Sequence, residues 1–272
     1  MSAAPSTATQ HSTTDVRENI RALYVAAFAV FLATATLTLW FALTMRGGMR
    51  MPGGWTMSMM WMRMAGQTRL AAAAIFAAMW LAMMIAMMLP SALPMLIVYR
   101  RAAAFRGDVH GERNTVALAA GYFAVWLAFG IVAYALGAAL AEATMRSAAL
   151  AHAIPLAAGG ALLVAGIYQL TPWKSACLEH CRDPLTLVAE HLHGGGVGAL
   201  RLGLHHGLFC AGCCWALMLM QLTVGVMSLP MMAAVATVIA VEKLWARGPL
   251  VARVVGVASI AAGIAVIARY VS

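Results

Sequence analysis

The stretch His205–Trp215, HHGLFCAGCCW, puts two histidines and three of the chain's five cysteines into eleven residues. On a helix His206, Cys210, Cys214 and Met218 recur every four residues and share one face, with Cys213 beside it and His205 one position earlier. Thiolate and imidazole so arranged can hold a soft metal ion. Cysteine is also among the most buried residue types and is often inert, so close packing is the competing reading. Three cysteines within five residues, just below a histidine pair, favour a metal site. The spacing is not that of a zinc finger, whose ligands come in paired halves on turns.

A second cluster lies in YQLTPWKSACLEHCRDP, Tyr168 to Pro184. Pro172 and Pro184 bracket a short helix, since proline is tolerated in a first helical turn and not in its interior. On that helix Cys177 and Cys181 are one turn apart and His180 stands three residues after Cys177, so the three can converge on one ion. His191 and His193 follow in a glycine-rich turn.

Methionine supplies the third set of soft ligands. Of 21 methionines, eight fall in MRGGMRMPGGWTMSMMWMRM, Met45 to Met64. A thioether is uncharged and favours Cu(I) over Mg²⁺ or Ca²⁺; the alternative is adaptable apolar filler for an interfacial loop. Further along, Met79, Met83 and Met87 fall at i, i+4 and i+8, with Met84, Met88 and Met95 on a neighbouring line. Met83, Met84, Met87 and Met88 are the candidate ligands here, and helix packing is the bland explanation. Pro90 and Pro94 free backbone carbonyls in this segment, a feature tolerated in a membrane where a neighbour or a cavity satisfies them.

These groups must be positioned by elements suited to an apolar solvent. The chain of 272 residues is 63% hydrophobic and 10% charged, against roughly 25% charged in soluble domains. Tyr24–Met45 and Leu70–Leu89 carry no charge over 22 and 20 residues, and Thr115–Ala141, Ile154–Leu170 and Gly203–Ser228 are equally free of Lys, Arg, Asp and Glu. About 20 apolar residues span a bilayer core. Two weaker segments follow, Leu229–Val241 and Leu250–Ala268, the second interrupted by Arg253. The expected fold is an all-α, polytopic transmembrane helical bundle of about seven spans.

Residues 1–20 are small and polar and read as a disordered tail, leaving residues 21–272 as a single transmembrane domain. The first apolar run is too long for a signal peptide and is expected to be retained. Placing alternate loops on alternate sides gives one side 12 of the 18 Lys and Arg residues. The positive-inside rule puts that side and the N terminus in the cytoplasm, and the C terminus outside. The Met-rich loop 45–69 then faces outward and the Cys/His-rich loop 172–203 inward, in an inner (plasma) membrane. The net charge of +9 is accounted for by topology and anionic headgroups, so the lipid bilayer is the expected partner and no nucleic acid is needed.

Three segments, MMIAMMLPSALPM (Met83–Met95), YQLTPWKSACLEHCRDP and GLFCAGCCWALMLM (Gly207–Met220), resemble a family of predicted metal-binding integral membrane proteins. Glu242 and Lys243 fit the same pattern. One branch of that family is described as a copper chaperone serving a tyrosinase-type polyphenol oxidase. The resemblance covers most of the chain from Leu70 onward. It implies a membrane location, bound copper, and a copper enzyme or copper donor as partner.

Copper as Cu(I) is the ion these ligands fit best, with zinc a second option. The leading reading is a non-enzymatic copper-handling membrane protein, a chaperone or transporter, using Cys177, His180, Cys181, His205, His206, Cys210, Cys213, Cys214 and the four methionines. A membrane thiol–disulfide oxidoreductase, pairing Cys177 with Cys181 and Cys210 with Cys213 or Cys214, is the enzymatic alternative. A non-catalytic subunit of a membrane copper enzyme is the third. Glu242 and Lys243 are expected either to pair with each other or to place the carboxylate near the cysteines. No nucleophile–base pair, phosphate-binding glycine loop or paired intramembrane carboxylates argue for a hydrolase or an ATP-driven pump.

Overall fold

A computed structural model describes residues 7–45, 47–63, 66–191 and 194–271. His193 and Met64 lie outside the described residues, as does the side chain of His191. The bundle is all-α apart from one small hairpin. Its helices are α1 (Thr7–Thr44), α2 (Arg69–Phe105), α3 (Gly111–Arg146), α4 (Ala148–Gln169), α5 (Pro172–Arg182), α6 (Pro184–His191), α7 (Gly195–Val224), α8 (Leu229–Leu244) and α9 (Gly248–Val271).

Six of these, α1 to α4, α7 and α9, are long and apolar enough to cross a membrane. The seventh expected span, α8, has 16 residues, roughly 24 Å at 1.5 Å per residue. It nevertheless bridges the bundle from the end of α7 to a cluster of buried polar groups, where its Glu242 meets Gln169 at the end of α4. From there α9 returns to the opposite end, where the Tyr270 hydroxyl donates to the Gly53 carbonyl at 3.0 Å.

Expected boundaries shift in three places. Helix α1 begins at Thr7, inside the segment that composition reads as a tail; extending a helix already nucleated by an apolar run costs little. Helix α7 begins at Gly195, eight residues before the apolar run Gly203–Ser228, because its first turns pack on α3. The Met-rich segment is folded: β1 (Gly48–Arg50) pairs antiparallel with β2 (Thr56–Ser58), Met49 opposite Met57, and a 3₁₀ turn covers Met59–Trp61. Gly53 and Gly54 turn the hairpin with φ of 93° and 77°, a region that favours glycine. Trp55 anchors it by donating Nε1–H to the Ala151 carbonyl at 2.8 Å.

Sequence explains most helix limits. Thr68, Ser147 and Thr171 cap α2, α4 and α5 by accepting from Ala71, Leu150 and Lys174 N–H groups. Pro172 and Pro184 begin α5 and α6. Helix α2 runs unbroken through Pro90 and Pro94, and the Ser91 hydroxyl donates to the Met88 carbonyl.

Glycine sets the closest contacts. A Cβ at Gly203 would overlap the Leu118 carbonyl, and one at Gly121 the Leu200 carbonyl, so α3 and α7 touch backbone to backbone. Gly159, Gly166, Gly256 and Gly263 do the same for α4 and α9. Small residues at such crossings are the usual device where lipid supplies no hydrophobic drive between helices. The α3–α7 pairing fixes how α7 is rotated about its axis, and with it the direction of its cysteines.

Candidate metal centre

Helix α7 points Cys210, Cys213 and Cys214 into the bundle. All three are fully buried, and their sulfurs lie within 4.8 Å of one another. Cys213 Sγ is 3.3 Å from Cys214 Sγ and donates to the Cys210 carbonyl at 3.2 Å. All five cysteines are free thiols. Among the described residues this is the group of three or more His, Cys, Asp or Glu side chains placed to hold one ion.

The second cluster does not form a site of its own. Helix α5 packs on α7, bringing Cys181 Sγ to 3.9 Å from Cys213 Sγ, while Cys177 packs where a Cβ on Gly212 would lie. His180 stacks on Phe209 with ring centroids 3.8 Å apart, and lies 5.1 Å from the His205 ring. Cys181 thus meets Cys213 across the two helices, while Cys210 keeps Cys213 and Cys214 close on its own helix. His206 is buried against Tyr122, ring to ring at 5.5 Å, and its Nδ1 has no hydrogen-bond partner among the described residues.

Methionines belong to the same core. Met83, Met84, Met87 and Met88 of α2 are buried in the same contiguous apolar cluster as the three cysteines and Met218. Met95, on the same line of α2, belongs to a different cluster around Tyr99 and Leu118. At the hairpin end Met57 and Met60 are buried while Met49 and Met59 are exposed, so only part of the eight-methionine segment meets the surroundings.

Three charged groups complete the centre. Lys243 Nζ donates to Cys210 Sγ at 2.7 Å, and the Tyr122 hydroxyl is 2.9 Å from the same sulfur. Lys174 Nζ donates to Glu242 Oε2 at 2.6 Å and to the Cys213 carbonyl; both side chains of this ion pair are 1% exposed. Gln169 Nε2 donates to Glu242 Oε1 at 3.1 Å. The expected Glu242–Lys243 pairing is therefore absent: consecutive residues on a helix point in different directions, and each finds its own partner. Sequence reasoning missed Tyr122, Gln169 and Lys174. A polar side chain inside an apolar run was the available signal for the first two, and a lysine one turn before a Cys-x-x-x-Cys for the third.

Three thiolates on a monovalent ion leave excess negative charge. A lysine ammonium against one sulfur, in a fully buried site, lies where it offsets that charge. A sulfur-rich, cation-flanked, fully buried centre suits a soft ion.

A family model for the PpoB2 copper chaperones matches residues 77–266, a span that takes in every group of the centre. The chain belongs to the PpoB2 copper chaperone family. No curated protein and no solved structure matches. For a PpoB2 chaperone, three converging buried thiols are a ligand set compatible with a soft metal ion.

Proposed function

We propose that this family member is an integral membrane Cu(I) chaperone that holds its cargo on Cys210, Cys213 and Cys214. The observation that carries the reading is the convergence of three unoxidised, fully buried sulfurs within 4.8 Å. Thioether and thiolate donors select Cu(I). Met83, Met84, Met87 and Met88 form the approach to the thiols, and His206, one turn before Cys210, is a further donor. The hairpin with Met49 and Met59 collects copper at the outer face. The N terminus is cytoplasmic, following the excess of Lys and Arg on that side. The partner is a copper-requiring enzyme or a copper donor, and the protein's role is handling rather than catalysis.

Anaerobic loading of the purified protein with Cu(I), followed by desalting and elemental analysis, tests this. One tightly held copper with a sulfur-dominated X-ray absorption spectrum is expected. Replacement of Cys210, Cys213 and Cys214 together by Ser should abolish retention. Full retention by the triple variant removes these cysteines from the site.

A further inference from the structure

A centre whose three sulfurs have no exposed surface can neither take up nor surrender an ion without movement. Helices α3 and α7, which carry Tyr122 and the three cysteines, are long and locked to each other by glycine contacts. Helix α5 is different. It has 11 residues and is broken from its neighbours at both ends, by Thr171–Pro172 and by Asp183–Pro184. It lies directly on the centre through Cys181, and its apolar contacts are the fully buried Leu178, Cys177 on Gly212 and the His180 ring on Phe209.

The remaining ties of α5 are polar and run to the two helices that carry the centre. Lys174 reaches Glu242 and the Cys213 carbonyl. Arg182 donates to the carbonyls of Glu242 at 2.6 Å and Trp245 at 2.7 Å, at the end of α8. Parting the buried Lys174–Glu242 pair is costly, so these ties hold α5 shut, and opening must admit water to both charges. A cavity of about 390 Å³ lies along another side of α5, lined by Gln169, Ser175, Glu179, Pro249 and Arg253, and gives the helix space to move.

We propose that α5 is a movable cover over the three-cysteine centre, and that Cys181, carried on it, is the thiol that passes Cu(I) between that centre and an acceptor. The step is a ligand exchange. The bond from Cu(I) to Cys213 breaks as one to Cys181 forms, and the proton leaving the Cys181 thiol goes to the vacated Cys213 sulfur. No electron moves, and the ion stays bonded to sulfur throughout. The inference rests on the copper chaperone reading; the cover itself is testable without copper.

In copper-free protein in detergent, labelling of Cys213 and Cys214 by a water-soluble maleimide should be slow. Arg182→Met, which removes the ties at the α8 end and leaves the buried ion pair intact, should accelerate it at least fivefold. Equal labelling rates overturn the cover. In Cu(I)-loaded protein, transfer to the water-soluble chelator bathocuproine disulfonate is followed by absorbance, as a rate per bound copper. Cys181→Ser should slow that transfer at least tenfold, whereas loss of an ordinary resident ligand would speed it. Unchanged or faster transfer overturns the role of Cys181. A protein that labels as expected but retains no Cu(I) overturns the transfer role together with the copper reading, and leaves the cover standing.

Discussion

Lys243 Nζ sits 2.7 Å from Cys210 Sγ, with both side chains buried. An ammonium in this position is a built-in counter-charge for a sulfur-ligated ion. Lys243→Met keeps the length and apolar bulk of the side chain and removes the charge. Hydrogen bonds to charged groups contribute about 1.5–3 kcal/mol, so Cu(I) affinity should fall roughly ten- to a hundredfold. Competition against a Cu(I) chelator of known affinity measures this, and an unchanged affinity removes Lys243 from the site's electrostatics.

The Lys174–Glu242 pair should behave as a coupled unit. Removing one partner of a buried ion pair costs about 3–5 kcal/mol, whereas replacing both with apolar residues is often neutral. Lys174→Met and Glu242→Leu should therefore each lower Tm in detergent markedly, and the double variant should recover most of the loss. Additive losses would mean that the two side chains do not depend on each other.

Two glycines with opposite surroundings test the helix contacts. Gly203 meets the backbone of Leu118, whereas Gly160 in α4 has open space around the position of a Cβ. Gly203→Ala should destabilise by about 1–3 kcal/mol through overpacking. Gly160→Ala should be neutral or stabilise by up to about 1 kcal/mol, as expected when alanine replaces a helical glycine. Thermal unfolding of the two variants side by side decides it; equal effects would contradict the α3–α7 contact.

Between α2 and α3, Asp108 accepts from the His110 N–H at 2.9 Å and from the Asn114 side chain at 2.8 Å. The His110 N–H, as the largest cause, holds this carboxyl below the ordinary aspartate value of 3.8; burial opposes it, and the Asn114 amide adds to the lowering. A depressed folded-state pKa contributes stability that is present above 3.8 and lost as pH falls through the lower folded value. Wild type should melt above Asp108→Ala at neutral pH, and the gap should narrow as pH drops below 3.8. A gap that widens on acidification would reverse the sign of this linkage.

The sequence alone determined the helical elements and the chemical character of the centre. Uncharged apolar runs place α1 to α4 and α7, and a run broken only by Arg253 places α9, because a bilayer core demands internally hydrogen-bonded, apolar segments, and that demand is local. Likewise the soft donors of α7 and α2 declare themselves by spacing on a single helix. What one helix cannot declare is which way its neighbours face. That Cys181 meets Cys213, that Cys177 packs on Gly212, and that Lys243 rather than Glu242 reaches a sulfur are decided by the rotation of each helix about its axis. Backbone contacts at Gly121 and Gly203 set the rotation of α7. Tyr122, Gln169 and Lys174 enter the centre from three other helices, 39 or more residues from the sulfur or carbonyl each touches on α7, or from Glu242. Periodicity within a helix carries no information about such pairings, and only the packed bundle supplies it.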